Sequence, residues 1–143
     1  MESSDFDVVY ARLSLHYFTN VEIKIIFTAI ANKLNRNGIL VFLCKSTKDP
    51  LYDQGELIEK DMYSLNGHVR HFFSEKYAKE CLKDKFEIKT LESSDEFFSG
   101  DKSSFIKVIC TKKRVQLLSN HSKNIHVLNY FVKKYTWLPN PII

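Results

Sequence analysis

FDVVYA, residues 6–11, decides the fold, because it is a short apolar run rich in strand-forming residues. It predicts a strand buried on both faces, which is typical of a parallel sheet covered by helices. A second apolar run, ILVFLC at residues 39–44, predicts another strand of the same kind. The two strands would form the centre of an α/β sheet.

The segment between these strands predicts a helix. Thr19 and Glu22 have the Thr-x-x-Glu spacing of a capping box, in which each residue satisfies backbone N–H groups at the helix start. Apolar residues then recur at helical spacing, so that one face packs on a core: Ile23, Ile26, Phe27, Ile30 and Leu34. Asn37-Gly38 is expected to end the helix in a left-handed conformation. Strand, helix and strand in this order imply a right-handed crossover between parallel strands.

Residues 45–73 form a long polar segment with Pro50, Gly55 and Gly67 as breakers. We expect an irregular loop, and long loops in compact domains are often lids or binding segments. Ser74 then caps a second helix whose apolar face is Tyr77, Ala78, Cys81 and Leu82.

The remainder of the body predicts two strands, residues 86–91 and 105–110, joined by a polar loop over residues 93–104. They are expected to pair antiparallel at a sheet edge. Beyond them, Leu128, Phe131, Val132 and Tyr135 have helical spacing, and prolines near the end would stop a helix.

The composition fits one globular domain, since the 143 residues are 44% hydrophobic and 27% charged. No apolar run is long enough for a membrane span and the acidic start does not resemble a signal peptide, so a cytoplasmic protein with no membrane association is expected. Cys44, Cys81 and Cys110 lie in apolar patterns without CxxC spacing, which predicts reduced thiols.

The net charge of +4 is concentrated in the tail. Residues 112–143 contain six basic residues and no acidic one, which leaves 15 basic against 17 acidic residues in positions 1–111. The body is therefore close to neutral. A basic tail can bind nucleic acid or an acidic partner, and solvated lysines are the simpler explanation.

Several strings occur in a recognisable order: FDVV (6–9), RLSLHYF (12–18), the helix (19–34), an L-x-x-x-G turn (34–38) and ILVF (39–42). In that order, residues 5–112 resemble the second half of a class I S-adenosylmethionine-dependent methyltransferase. NGHVRHFFS (66–74) looks like the segment of a bacterial small-molecule branch in which a loop over the active site leads into a helix. The resemblance implies a partial Rossmann-like fold: two parallel strands with a crossover helix, then a helix and an antiparallel edge pair.

The resemblance also implies roles for individual residues. Ala11, Arg12 and Leu13 would lie at the carboxyl end of the family's fourth strand, beside the methionine part of S-adenosylmethionine. Ligands of open α/β sheets bind at that edge. His16 would orient the substrate or act as a base in catalysis. An equally weighted alternative is that His16 only closes the turn between strand and helix.

The resemblance also implies which residues form the acceptor pocket. His68, Arg70 and His71 could hold an anionic group of a small-molecule methyl acceptor, or simply anchor their loop. Tyr52 and Tyr63 could line the same pocket. His68 and His71 also have a spacing that can place two imidazoles on one metal, but no third ligand follows, so no metal site is predicted. Phe72 and Phe73 could line the pocket as well, and a core position is expected for Phe72 or Phe73.

The family's glycine-rich loop and its ribose-binding acidic residue have no counterpart in this sequence, whose four glycines are widely scattered. The resemblance therefore assigns residues 1–112 to the C-terminal half of a methyltransferase domain and residues 113–143 to a basic tail outside it. The complete enzyme would methylate a small molecule. This chain is expected to be a fragment that is inactive alone.

Two alternatives differ in kind from an enzyme fragment. The chain could be a non-catalytic half whose sheet is completed by a partner chain or by a second copy, because strand 6–11 should be central and would otherwise expose an apolar edge and face. It could also be a basic-tailed nucleic-acid-binding protein. The near-neutral body and the lack of a nucleic-acid motif disfavour that second alternative.

Overall fold

A computed structural model describes residues 6–114, and the C-terminal residues with helical spacing lie outside this range. The fold is a mixed α/β structure with a four-stranded sheet of order β1-β2-β7-β6 and a three-stranded sheet of order β3-β4-β5. The elements are β1 (Phe6–Arg12), a short 3-10 helix (Leu15–Tyr17), α1 (Asn20–Lys33), β2 (Leu34–Lys45), β3 (Glu56–Glu59), β4 (Met62–Leu65), β5 (His68–His71), α2 (Glu75–Leu82), β6 (Phe86–Phe98) and β7 (Asp101–Lys112).

β1 and β2 pair in parallel through the crossover helix α1, as the sequence predicts. The prediction that β1 is buried on both faces is wrong. Val9 and Ala11 pack against the helix-covered core, whereas Val8 and Tyr10 are 55% and 63% exposed on the opposite face. Successive side chains of a strand point to opposite faces, so only one face of β1 is covered by described residues.

α1 begins at the predicted capping box. The Thr19 hydroxyl accepts a hydrogen bond from the Glu22 N–H at 3.3 Å, and the Glu22 carboxylate accepts one from the Thr19 N–H at 3.0 Å. The predicted helix end at Asn37-Gly38 is wrong, because α1 ends at Lys33 and β2 follows immediately. Gly38 is instead required by close packing, since a Cβ there would lie 2.8 Å from the Leu34 side chain.

The predicted irregular loop over residues 45–73 contains a small antiparallel sheet, β3 to β5. Gly55 precedes it with φ +89°, and a Cβ at this position would lie 2.1 Å from the Ser64 carbonyl oxygen. Only glycine fits such a backbone approach. The small sheet is tied to the main sheet where Phe73 donates its N–H to the Lys45 carbonyl oxygen at 2.8 Å.

α2 begins at the predicted Ser74 cap, whose hydroxyl accepts the Tyr77 N–H at 3.0 Å. β6 and β7 then pair antiparallel, as predicted, with β7 between β2 and β6. The predicted polar loop over residues 93–104 is wrong, because both strands continue to a tight turn at Ser99-Gly100. Both turn residues have positive φ, which a two-residue hairpin turn requires.

The core lies between the helices and one face of the main sheet. Its largest fully buried members are aromatic, and Phe72 and Phe73 are buried as predicted. The three cysteines are free thiols: Cys44 and Cys110 are buried and Cys81 is half-buried. Within residues 6–114, no helix combines the length and apolar character needed to cross a membrane.

Candidate functional site at the carboxyl edge of the parallel strands

The carboxyl ends of β1 and β2 lie side by side, with Arg12 paired to Leu43. Leu13 follows β1 with φ 53°, an uncommon conformation for a leucine. Its N–H donates to the Leu43 carbonyl oxygen at 2.8 Å, which turns the chain from the strand into the 3-10 helix. This turn places Ala11, Arg12 and Leu13 at the edge where open α/β sheets bind ligands.

His16 lies in that turn and is only 3% exposed. The Lys45 backbone N–H donates to its Nδ1 at 3.5 Å, so the proton of the neutral ring is on Nε2. Burial lowers the pKa of His16 from 6.5 to about 4, and the positive charges of Arg70 and Lys45 add to this effect. At neutral pH the ring is therefore an uncharged hydrogen-bond donor.

The end of β2 is held by a buried ion pair that sequence reasoning missed. Lys45 Nζ lies 2.8 Å from Asp49 Oδ2, and the Asp49 side chain is 1% exposed. Asp49 also accepts the Ser104 N–H at 2.8 Å and the Leu51 N–H at 3.0 Å. These contacts join β2, the following turn and β7. The only sequence signal was an Asp before Pro50 in a polar turn, which does not reveal burial.

The three candidate residues of β5 do not converge on one site. Arg70 acts electrostatically on His16, so it lies towards the carboxyl edge. His71 is fully buried and its ring stacks near Tyr77, with 4.8 Å between ring centroids. His68 is exposed at the start of the strand. Adjacent strand residues point to opposite faces, which separates Arg70 from His71.

Tyr52 and Tyr63 are brought together, as a shared pocket lining would require. Their ring centroids are 5.5 Å apart, and Tyr52 lies 5.6 Å from Phe72. The Tyr52 hydroxyl donates to Asp61 Oδ1 at 2.7 Å. This hydrogen bond raises the pKa of Tyr52. The cluster packs the small sheet against the turn after β2.

A shared metal is not supported by this geometry, because residues three apart in a strand lie on opposite faces. Among residues 6–114, no group of three or more His, Cys, Asp or Glu side chains could hold a metal ion. Cys44 is also unsuited to chemistry, because burial raises its pKa well above the ordinary range.

Several solved structures that match this fold are methyltransferases. A SAM-dependent methyltransferase from Methanosarcina mazei matches with a TM-score of 0.66 at 20% identity, over 78% of this chain and 61% of its own length. One from Mesorhizobium loti matches with a TM-score of 0.55 at 19% identity, over 76% of this chain and 62% of its own length. The N-methyltransferase NodS from Bradyrhizobium japonicum, in complex with S-adenosylhomocysteine, matches with a TM-score of 0.52 at 13% identity, over 78% of this chain and 48% of its own length.

This chain has the fold of these methyltransferases. It spans 61% or less of the length of the Methanosarcina mazei and Bradyrhizobium japonicum proteins. No protein-family model and no curated protein matches the sequence. The partial Rossmann-like fold expected from the sequence is confirmed, including the parallel pair β1–β2 and the antiparallel edge pair β6–β7.

Proposed function

We propose that this chain supplies the acceptor site and the edge that holds the methionine part of the cofactor in an S-adenosylmethionine-dependent methyltransferase that acts on a small molecule in the cytoplasm. The observation that carries the proposal is the carboxyl edge of β1 and β2, where His16 and the turn through Leu13 meet in a fold shared with SAM-dependent methyltransferases. Ligands of such sheets bind at this edge. The chain would act as the C-terminal half of a larger domain.

Bound S-adenosylmethionine would supply an electrophilic methyl group. On this chain, Ala11, Arg12 and Leu13 would hold its methionine part, with the Arg12 guanidinium available for the carboxylate. Ala11 and Arg12 end β1 and Leu13 follows them, and Arg12 is exposed. The described residues thus fit the methionine part of the cofactor, whereas groups for the adenosine part would have to come from elsewhere.

His16 would orient the acceptor rather than remove its proton. The ring presents Nε2–H, because Nδ1 already accepts the Lys45 N–H. With a pKa near 4, it is a poor base at neutral pH. A donor fixed in this way would hold an oxygen of the acceptor, while Arg70 would attract an anionic group. Positioning of this kind is a large part of what an enzyme contributes to a transfer between two bound reactants.

The exposed edge of β1 favours a second candidate function. Among the described strands, β1 pairs only with β2, and Val8 and Tyr10 are exposed beside the free edge. A non-catalytic half that joins its sheet to a partner chain would use this surface. Co-purification with a protein that binds through β1, without any affinity for the cofactor, would support this alternative.

Calorimetric titration of the purified chain with S-adenosylhomocysteine tests the methyltransferase proposal. We expect weak binding, because this chain supplies contacts to the methionine part only, and Arg12→Ala should weaken it about tenfold, the value of one charged hydrogen bond of roughly 1.4 kcal/mol. Arg36→Ala is the matched control, because Arg36 is also exposed but lies at the opposite end of β2. Absence of binding at millimolar ligand, or equal loss in both variants, would refute a cofactor site on this chain.

A further inference from the structure

A polar cleft of about 720 Å³ opens between α1, α2 and the turn from β3 to β4. Of the residues that the sequence assigned to the cofactor or to the acceptor pocket, His71 alone lines this cleft. The side chains that form its inner part are Asn20, Glu59, Asp61, His71, Tyr77 and Cys81. These residues are buried or half-buried, in contrast to the lysines at the rim.

His71 is the most informative residue of the cleft, because it is 1% exposed yet lines the cavity. Its Nδ1 lies 3.0 Å from the Phe18 carbonyl oxygen, which can only accept, so Nδ1 carries the proton. Burial lowers the pKa of His71, which keeps the ring neutral. Nε2 is then an acceptor, and no hydrogen bond to it is found among residues 6–114.

The charged side chains that act on the His71 ring are acidic. Glu59 and Asp61 both act on His71 electrostatically. Glu59 Oε1 accepts the Asn20 N–H at 2.5 Å, and Asp61 Oδ1 accepts the Tyr52 hydroxyl at 2.7 Å, so both carboxylates are held in place. Basic residues of the lining are all exposed: Lys24, Lys60, Lys76 and Lys83.

Tyr77 completes the wall of the cleft. Its hydroxyl donates to Asn20 Oδ1 at 3.0 Å, which fixes α2 against the start of α1. Burial and the nearby Glu59 raise its pKa, so the phenol stays neutral. The inner surface therefore combines a neutral acceptor, two oriented carboxylates and no basic side chain. An anion would meet repulsion there, whereas a cation with N–H donors would find acceptors.

We propose that this cleft binds a protonated primary amine, with His71 Nε2, Glu59 and Asp61 accepting its N–H groups. Three donors of an ammonium match three acceptors on different elements, and the alkyl part would lie along the Tyr77 ring. This inference goes beyond methyl transfer and does not depend on it.

Calorimetric titration of the full chain with butylamine at pH 7.5 tests the proposal, with 1-butanol and butyrate as probes of equal length and different charge. We expect butylamine to bind at least tenfold more tightly than either. Glu59→Gln should weaken binding of butylamine about tenfold. Glu92→Gln, an exposed residue of β6 outside the cleft, should leave it unchanged.

A second variant and a spectroscopic signal keep the test decisive if Glu59→Gln fails to fold. Asp61→Asn retains an acceptor for Tyr52 and tolerates the φ of 60° at this position, so the fold should persist while butylamine binding weakens about tenfold. The ¹⁵N resonance of His71 Nε2 should also shift when butylamine is added. Equal binding of 1-butanol and butylamine, or an unchanged His71 resonance, would overturn the proposal.

Discussion

At the scale of single residues, His16 links the stability of the fold to pH. Its pKa is about 4 in the folded chain and near 6.5 in an unfolded one. Between these values the unfolded chain binds a proton that the folded chain does not. The free energy of unfolding should therefore fall as pH drops from 6.5 to 4, by up to about 3 kcal/mol from His16 alone. Denaturant titrations at several pH values measure this slope.

The variant His16→Asn separates this residue from other titrating groups. Asn can still accept the Lys45 N–H and does not titrate. The free energy of unfolding of the variant should therefore depend less on pH, by the contribution of His16. Part of the slope should remain, because burial also lowers the pKa of His71. His68→Asn is the control, since the His68 side chain is exposed. An unchanged slope in His16→Asn would contradict the assignment.

The protonation state and burial of a residue are harder to predict from sequence than its place in the fold. The turn through Leu13 to His16 was expected beside the carboxyl edge from the resemblance to methyltransferases, whose ligands bind there. The tautomer of His16 was not predictable, because it depends on the Lys45 N–H, 29 residues away. Asp49 was missed for the same reason: its partner on β7, Ser104, is brought close only by strand pairing.

At the scale of elements, α1 depends on its capping box. Thr19→Ala removes the hydroxyl that accepts the Glu22 N–H and should lower the free energy of unfolding by about 1 kcal/mol. Thr28→Ala is the matched control: Thr28 lies inside α1, where its hydroxyl donates to the Lys24 carbonyl oxygen. Alanine favours helix interiors, so Thr28→Ala should be neutral or stabilising. Equal losses in thermal or denaturant unfolding would argue against the cap.

The junction of β2 with β7 depends on Asp49. Asp49→Ala would leave the Lys45 ammonium and the Ser104 N–H without their buried acceptor. Loss of one partner of a buried pair costs about 3 kcal/mol or more. Glu87→Ala is the control, because it removes an exposed partner of Lys89 and should cost less than about 1 kcal/mol. Similar unfolding midpoints for the two variants would show that Asp49 is not a structural anchor.

The elements that the sequence predicted correctly have strong local signals. α1 and α2 have caps and apolar stripes, and β1 and β2 are continuous apolar runs. The sequence predicts loops in place of the small sheet and of the outer ends of β6 and β7, because their residues, such as Ser93 and Ser94, are polar. Their strand structure comes from pairing with a neighbouring strand rather than from burial, and sequence patterns do not report pairing.

At the scale of the whole molecule, the two faces of the main sheet differ. On one face Leu40, Phe42 and Val108 are buried under the helices. On the opposite face, which we call the open face, exposed Tyr10 is paired with half-buried Val41, and Val41 is paired with half-buried Ile109. A contiguous apolar surface next to a strand edge that no strand within residues 6–114 covers is a common site of association. Substitutions on this surface can therefore test the prediction that the chain associates through β1.

Tyr10→Lys should weaken that association. The lysine replaces a side chain that is 63% exposed on the open face, and a charge on an edge strand opposes contact with a second chain. Sedimentation equilibrium should show wild-type chain above the mass of one copy and the variant close to it. Val21→Lys, at a 65% exposed position on α1, adds the same charge away from the sheet and should associate as wild type does. If wild type is monomeric, or if both variants dissociate equally, the open face does not cause self-association.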